Sequence, residues 1–518
     1  MKNFLPLFAF LLVLNLGYAQ IPKVYKAPVY EKEWNHPTIH PDRIMVNFGA
    51  EATSELNITW RTSTDVKQGI VEIAKATAAP KFWRNANTHN AELELFDLKL
   101  ENEIEVSAHY HSVKIKDLEA NTLYAYRVGD GMHWSEWIHV KTANTDPDRF
   151  SFIYIGDAQN NVLEVWSRLI RQGFQKAPDA AFMIHAGDLI NHANTDLEWE
   201  EWFQAGSFIH SMIPSFPVPG NHEYRSIKDG EPRQLSVLWR PQFTLPENGP
   251  EGLEETVYYM DYQDLRVIGL NSNEQKEKQM IWLEDVLKNN SNKWTVVTFH
   301  HPLFSASSSR DNDEWREMLK PILDKYQVDL ALQGHDHAYS RGRTTPLEEN
   351  IPTGVNAKDL TGTVYVVSVS GGKMYSLRPN AWEGWDADRD RAAENTQLFQ
   401  VLTVDGNILK YESYTATGDL YDAFEVIKNI KGPNSFVELK GQAISGRYFD
   451  NTIAYPDQLP ADIEKNLISK HEGFFVTRVA YQEKENDVVY KVRISNGETK
   501  YDMIIDLKGN VVTKEEVE

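Results

Sequence analysis

Five short stretches of the chain put metal-capable side chains directly after an apolar run. Phe150 to Ile155 leads into Gly156, Asp157, Ala158 and Gln159, and Ala181 to Ile184 leads into His185, Ala186, Gly187 and Asp188. Pro217 to Pro219 precedes Gly220, Asn221, His222 and Glu223. Trp294 to Phe299 ends at His300, His301 and Pro302, and Val328 to Leu332 runs into Gln333, Gly334, His335, Asp336 and His337. Carboxylate, amide and imidazole groups suit Zn, Fe or Mn, and a carboxylate has two oxygens with which to bridge two ions. There is no cysteine, so thiolate metal sites, thiol nucleophiles and disulfides are all excluded. Taken singly the stretches are weak, because Gly-Asp is commonly a turn and a strand-end histidine is commonly an ordinary core or surface residue. His335 and His337 are stronger, since two imidazoles two residues apart can face one cavity. The ordered set points to a single site holding a pair of cations.

These residues need elements to bring them together. From Phe150 apolar strands alternate with helical periodicity at 162–174, 198–212, 275–287 and 313–325, the pattern of an α/β domain. In such sheets ligands gather at the carboxyl ends of the strands, so five strand ends can converge. A glycine precedes the ligand in four of the five stretches and lets the backbone turn sharply. From about Gly362 the chain returns to strands, at 362–368, 398–404, 409–414 and 423–427. Upstream, residues 36–145 read as an all-β sandwich of short alternating runs, including 43–48, 56–61, 69–73, 110–116 and 123–128. Asn144 to Asp148 is the linker. A small C-terminal α+β unit over 456–518 has a helix at 460–471 and strands at 473–482, 487–495 and 499–506, with Asn496-Gly497 as a hairpin signal. The fold class expected is therefore multidomain α+β.

Length and composition set outer bounds. A chain of 518 residues allows two to four domains at roughly 150 residues each. The net charge of −22 argues against a nucleic-acid backbone as partner. It also means that an anionic substrate needs a local cationic centre, which bound metal ions would supply. Lys2, the apolar run Phe4 to Leu16 and the small residues around Ala19 form a signal-peptide pattern over 1–19, so the expected location is secreted or periplasmic. No other run is long and apolar enough to span a membrane.

The order Gly-Asp, Gly-Asp, Gly-Asn-His-Glu, His-His-Pro, Gly-His-Asp-His resembles the calcineurin-like metallophosphoesterases, and within them the purple acid phosphatases. That resemblance covers about 36–427. It implies a fibronectin type III-like sandwich over 36–145 and a central α/β/β/α metallophosphoesterase domain over 150–430. It implies two divalent or trivalent metal ions, with Asp157 and His337 on the first, Asp188 bridging, and Asn221, His300 and His335 on the second. His300 rather than His301 fits the family's His-x-Pro spacing, which leaves His301 as a support for a ligand or a substrate contact. The implied reaction is hydrolysis of a small phosphate monoester, with a hydroxide activated by the metal pair attacking phosphorus in line. His222 stands at the acid/base position, the alternative being a structural imidazole held by Glu223. Arg310 and Arg341 are candidate phosphate contacts, or else ordinary surface arginines. Two departures stand out. The family's iron-binding tyrosine, three residues after the bridging aspartate, is replaced by Asn191. The loop 305–312 holds none of the family's substrate histidines. Gln159 and Asn191 offer either a neutral oxygen to the first metal or a hydrogen bond to its ligands. The same motifs also serve phosphodiesterases and nucleotide hydrolases, and a non-catalytic extracellular binding protein is the rival of another class. The C-terminal unit resembles a PepSY-like domain, which could engage a protein partner or be a passive appendage.

Overall fold

The computed structural model describes residues 36–98, 106–226, 231–307, 310–378, 381–439, 459, 461–484, 487–496 and 499–517. The expected signal segment 1–19 and the turn residue Gly497 lie outside the described residues.

Alternating apolar side chains build two four-stranded antiparallel sheets at the N-terminal end. One orders Asp42–Phe48, Leu56–Thr62, Val106–Ile115 and Glu92–Leu98; the other orders Asn87–Asn90, Ile70–Lys75, Leu123–Gly129 and Ile138–Lys141. Leu56, Ile58 and Trp60 from the first sheet and Val71, Tyr126 and Val128 from the second are all buried in one apolar cluster.

The central region holds an eight-stranded and a seven-stranded sheet. In the first, Met183–His185 pairs in parallel with both Phe150–Ile155 and Ser215–Pro217. In the second, Leu265–Gly269, Trp294–Phe299, Leu330–Gln333 and Val364–Val367 form a parallel run. Strand Trp294–Phe299 is buried along its whole length, as the unbroken apolar run of a central parallel strand requires. Two parallel half-sheets thus end at one edge, and every expected metal ligand follows one of their strands.

Helices fall close to the expected places, with one difference. The segment expected to be a single helix over 198–212 is two, Asp196–Gly206 and Phe208–Met212, broken at Ser207 with φ 45°. The His210 ring occupies the space that a Cβ on Gly206 would fill, 2.0 Å from it at Nε2. The histidine folds back over the glycine, and its ring stacks on Trp202 with centroids 3.9 Å apart.

A buried ionic cluster joins the sandwich to the central region. The Arg43 guanidinium donates to Asp196 at 2.7 Å and Glu200 at 2.9 Å, and Arg61 donates to Glu200 at 3.2 Å and Asp42 at 2.8 Å. At the C-terminal end, helix Ala461–Ser469 accompanies a four-stranded antiparallel sheet, and Ile463, Leu467, Val492, Ile494 and Ile505 form its core. The last strand, Val511–Val517, was not expected. It is exposed, pairs with one neighbour, and has no apolar alternation to announce it. Among the described residues no helix is long and apolar enough to cross a membrane.

Candidate metal centre

The strand ends bring Asp157, Asp188, Asn221, His222, His300, His301, His335 and His337 into one neighbourhood. Tight turns make this happen. Gly187 has φ +84° and lies so close to Gly220 that a Cβ there would sit 2.6 Å from the Gly220 nitrogen. Asp188, His335 and His337 themselves have φ values of 52°, 77° and 50°, which non-glycine residues rarely adopt. Strain of this kind gathers where the surrounding structure holds a functional group in place.

Hydrogen bonds behind the site aim each side chain. His300 Nδ1 donates to the Ala186 carbonyl at 2.9 Å, which leaves Nε2 facing Asp188 Oδ2 at 3.1 Å and Asn221 Oδ1 at 3.2 Å. His337 Nδ1 donates to the Lys373 carbonyl at 2.9 Å and turns Nε2 toward Asp157 Oδ2, 3.4 Å away. Asp157 Oδ1 accepts from the His335 amide at 2.6 Å, whereas Oδ2 is buried with no hydrogen-bond partner. His222 Nδ1 donates to the Asn191 carbonyl at 2.6 Å, and its partly exposed ring points Nε2 to within 4.0 Å of Asp188 Oδ2.

Two donor groups of metal-binding size result. One is Asp157, Asp188 and His337, all buried, and the other is His300, His301 and His335; within each, the donor atoms lie within 4.8 Å of one another. The fit to cations can be tested on the residues alone. Burial, reinforced by Asp188, pushes the Asp157 carboxyl up to about 7 against the pull of His300. Burial works against charge on His300, yet Asp188 and Asp157 prevail and push it up to about 9. Burial holds His335 and His337 well below the usual imidazole range, so each presents a lone pair. A buried carboxylate oxygen without a donor, beside neutral imidazoles, is an arrangement that positive charge between them would satisfy.

The remaining candidate residues take the following places. Arg341 is no substrate contact: it is fully buried and ion-paired to Asp390 at 2.8 Å, Asp422 at 2.9 Å and Glu438 at 2.7 Å. Arg310 braces the ligand turn, donating to the His335 carbonyl at 2.7 Å and standing 3.4 Å from Asp336. Glu223 does not hold His222. Its carboxylate accepts from the amides of Asp188 at 2.9 Å, Gly220 at 2.6 Å, Leu189 at 2.8 Å and Ile190 at 3.4 Å. Gln159 donates from Nε2 to Asp188 Oδ2 at 2.7 Å, and its Oε1 is buried without a partner. The Asn191 amide lies against His192, and this residue serves His222 through its backbone carbonyl.

Sequence reasoning missed three supporting groups. Glu198 accepts from the Asn191 amide at 2.8 Å and the His192 amide at 2.6 Å, fixing the loop on which His222 rests. Tyr375 packs against His337 with ring centroids 4.8 Å apart and lies beneath the Arg310 guanidinium. Ser272 bonds His301 Nδ1 at 2.7 Å. Only Tyr375 had a signal, since it follows the Gly371-Gly372 turn after a buried strand.

A calcineurin-like phosphoesterase model matches residues 150–339, and a purple acid phosphatase N-terminal domain model matches 41–142. A purple acid phosphatase of Glycine max is 27% identical over 301 residues, covering 54% of this chain and 63% of its own length. Purple acid phosphatase 1 of Ipomoea batatas is 27% identical over 293 residues, covering 52% and 60%. The Fe(3+)-Zn(2+) purple acid phosphatase 12 of Arabidopsis thaliana is 25% identical, covering 52% and 61%. The chain thus spans less than two thirds of the length of these relatives. The fold is similar to a purple acid phosphatase from Lupinus luteus seeds, with TM-score 0.60, 20% identity and coverage of 76% of this chain and 75% of that one. It is also similar to PhoD, with TM-score 0.55, 14% identity and coverage of 86% and 100%.

Proposed function

We propose that this chain, matched over 150–339 by a calcineurin-like phosphoesterase model and over 41–142 by a purple acid phosphatase N-terminal domain model, hydrolyses phosphate monoesters at a dinuclear metal centre outside the cytoplasm. The observation that carries the reading is the pair of adjoining donor groups, one rich in carboxylate and one in imidazole. Asp157 and His337 would hold the first ion, Asn221, His300 and His335 the second, and Asp188 would bridge them. Fe, Zn and Mn all suit such donors. When bound, a metal pair supplies a nucleophile at neutral pH and neutralises phosphoryl oxygens.

The protein's own residues do the rest. His222 keeps its Nδ1 proton on the Asn191 carbonyl. The opposite nitrogen then faces the site with a lone pair, since burial lowers the ring's pKa, and it gives a proton to the departing alkoxide only when acid or the bound phosphate first makes it an imidazolium. Gln159 orients Asp188 through its amide. Tyr375 and Arg310 wall the side nearest His337, and Arg310 pins the His335 carbonyl. With Asn191 in place of the family's tyrosine, the purple charge-transfer band of a phenolate on ferric iron is not expected.

The remaining assignments belong to the same reading: export directed by residues 1–19, a fibronectin type III-like sandwich over 36–145, a catalytic domain over 150–430 and a PepSY-like unit over 456–518. Parallel assays with p-nitrophenyl phosphate and bis-p-nitrophenyl phosphate test the substrate class. Faster turnover of the monoester is expected. Preference for the bis-ester would make the chain a diesterase, and turnover of neither would support a binding role.

A further inference from the structure

His301 is not among the six ligands that the family pattern assigns, yet its ring lies with theirs. Its centroid is 4.3 Å from that of His335 and 5.0 Å from that of His300. The donor atoms of the three imidazoles fall within 4.8 Å of one another. His300 Nε2 and His335 Nδ1 stand 3.1 Å apart. Two nitrogens on one tetrahedral ion, with bonds of about 2.0–2.1 Å, stand about 3.3 Å apart, so these two already have the spacing of ligands sharing an ion.

The third ring is held in the same manner as the first. His300 is fixed from behind by the Ala186 carbonyl at Nδ1, and His301 by Ser272 Oγ at Nδ1, 2.7 Å away. Ser272 Oγ also accepts from the His301 backbone amide at 3.1 Å, so ring and backbone are pinned together. Metal-ligating histidines characteristically bond their second nitrogen in this way, which sets the tautomer and aims the first. Among the described residues nothing hydrogen-bonds His301 Nε2.

We propose that His301 is a third imidazole ligand at the second metal position, beside His300 and His335, with Ser272 orienting it. The proposal rests on the dinuclear reading given above. It makes the two positions chemically unequal. The first is held by two carboxylates and one imidazole, and the second is rich in nitrogen. Nitrogen-rich sites favour borderline ions of the zinc class over hard ones such as magnesium or calcium.

The test uses the full chain and reads metal rather than turnover. Wild type, His301→Ala, His301→Gln and Ser272→Ala are loaded with zinc, checked for native circular dichroism, and dialysed against graded chelator with zinc counted per chain. Wild type is expected to hold two ions. Both His301 variants should keep one and bind the other at least tenfold more weakly, and Ser272→Ala should weaken the same ion by a smaller factor. The two His301 variants guard against one failing to fold. Retention of both ions with wild-type affinity by a folded His301 variant overturns the proposal and leaves the dinuclear reading standing. Failure of wild type to hold two ions overturns both.

Discussion

The carboxylate of Glu223 tests whether the ligand turn is built as described. It is fully buried and receives four backbone amides, from Asp188, Leu189, Ile190 and Gly220. Two of those residues flank the two turns that carry Asp188 and Asn221, so one side chain ties both turns together. Burial and Asp188 push its carboxyl up, while the amides of Gly220 and Leu189 and the charge on His300 pull it back toward the ionised form. Glu223→Gln keeps the shape and replaces one acceptor oxygen with an NH2 group. Either way round, two of the four N–H groups then face a donor. A buried donor left without an acceptor costs about 1–3 kcal/mol, so two cost roughly 2–6 kcal/mol. Urea unfolding of wild type and variant measures this directly. The midpoint should fall with an unchanged slope, and the folded variant should release metal more readily because the Asp188 backbone is no longer fixed. A variant within about 0.5 kcal/mol of wild type, the range of ordinary surface changes, and retaining its metal, would refute the reasoning.

Asp188→Asn removes the charge from the expected bridge while preserving its volume, so metal content and turnover should fall together with the fold intact; full occupancy by elemental analysis would contradict the bridging role. Acid should destabilise the protein through its buried neutral histidines. Burial lowers His111 to about 4, with His109 adding to it, and lowers His210 to about 3. Unfolded histidine titrates near 6.5. The unfolded chain therefore binds protons first, and this stability is fully present above about pH 6.5 and lost as pH falls toward 4 and then 3. At pH 5 the loss is about 2 kcal/mol for each residue, and His210→Phe should shrink it in a urea series run against pH. Arg341→Ala takes the nearest cation from buried Asp422 and leaves it the Tyr339 hydroxyl at 2.7 Å and Arg391 at 3.8 Å, so stability should drop by about 3 kcal/mol, the low end for a broken buried pair. The KM of the folded variant should stay within about twofold, and a large rise in KM would restore Arg341 as a substrate contact.

How far the sequence alone reached depended on where the information was local. The strands before Asp157, Asp188, His300 and His335 are short apolar runs ended by a glycine or a histidine pair, and such runs can be read without tertiary knowledge. The convergence of their ends follows from the rule for parallel sheets. What escaped was non-local. Arg341 looked free because its partners Asp390, Asp422 and Glu438 lie far along the chain. Glu223 stands beside His222 in the sequence, whereas the fold gives it the amides of 188–190. The helix break at Ser207 comes from the His210 ring packing on Trp202, a contact that helical periodicity does not reveal. Ser272 and Glu198 sit in unremarkable sequence, and only the closed fold sets them behind His301 and the Asn191 loop.

Two cations should make this site a phosphoesterase. The most direct measurement strips the purified chain of metal and titrates zinc or manganese back while following hydrolysis of p-nitrophenyl phosphate. The stripped protein should show no turnover, and the rise should reach its plateau only at the second equivalent. Turnover without metal, or a plateau at one equivalent, would contradict it.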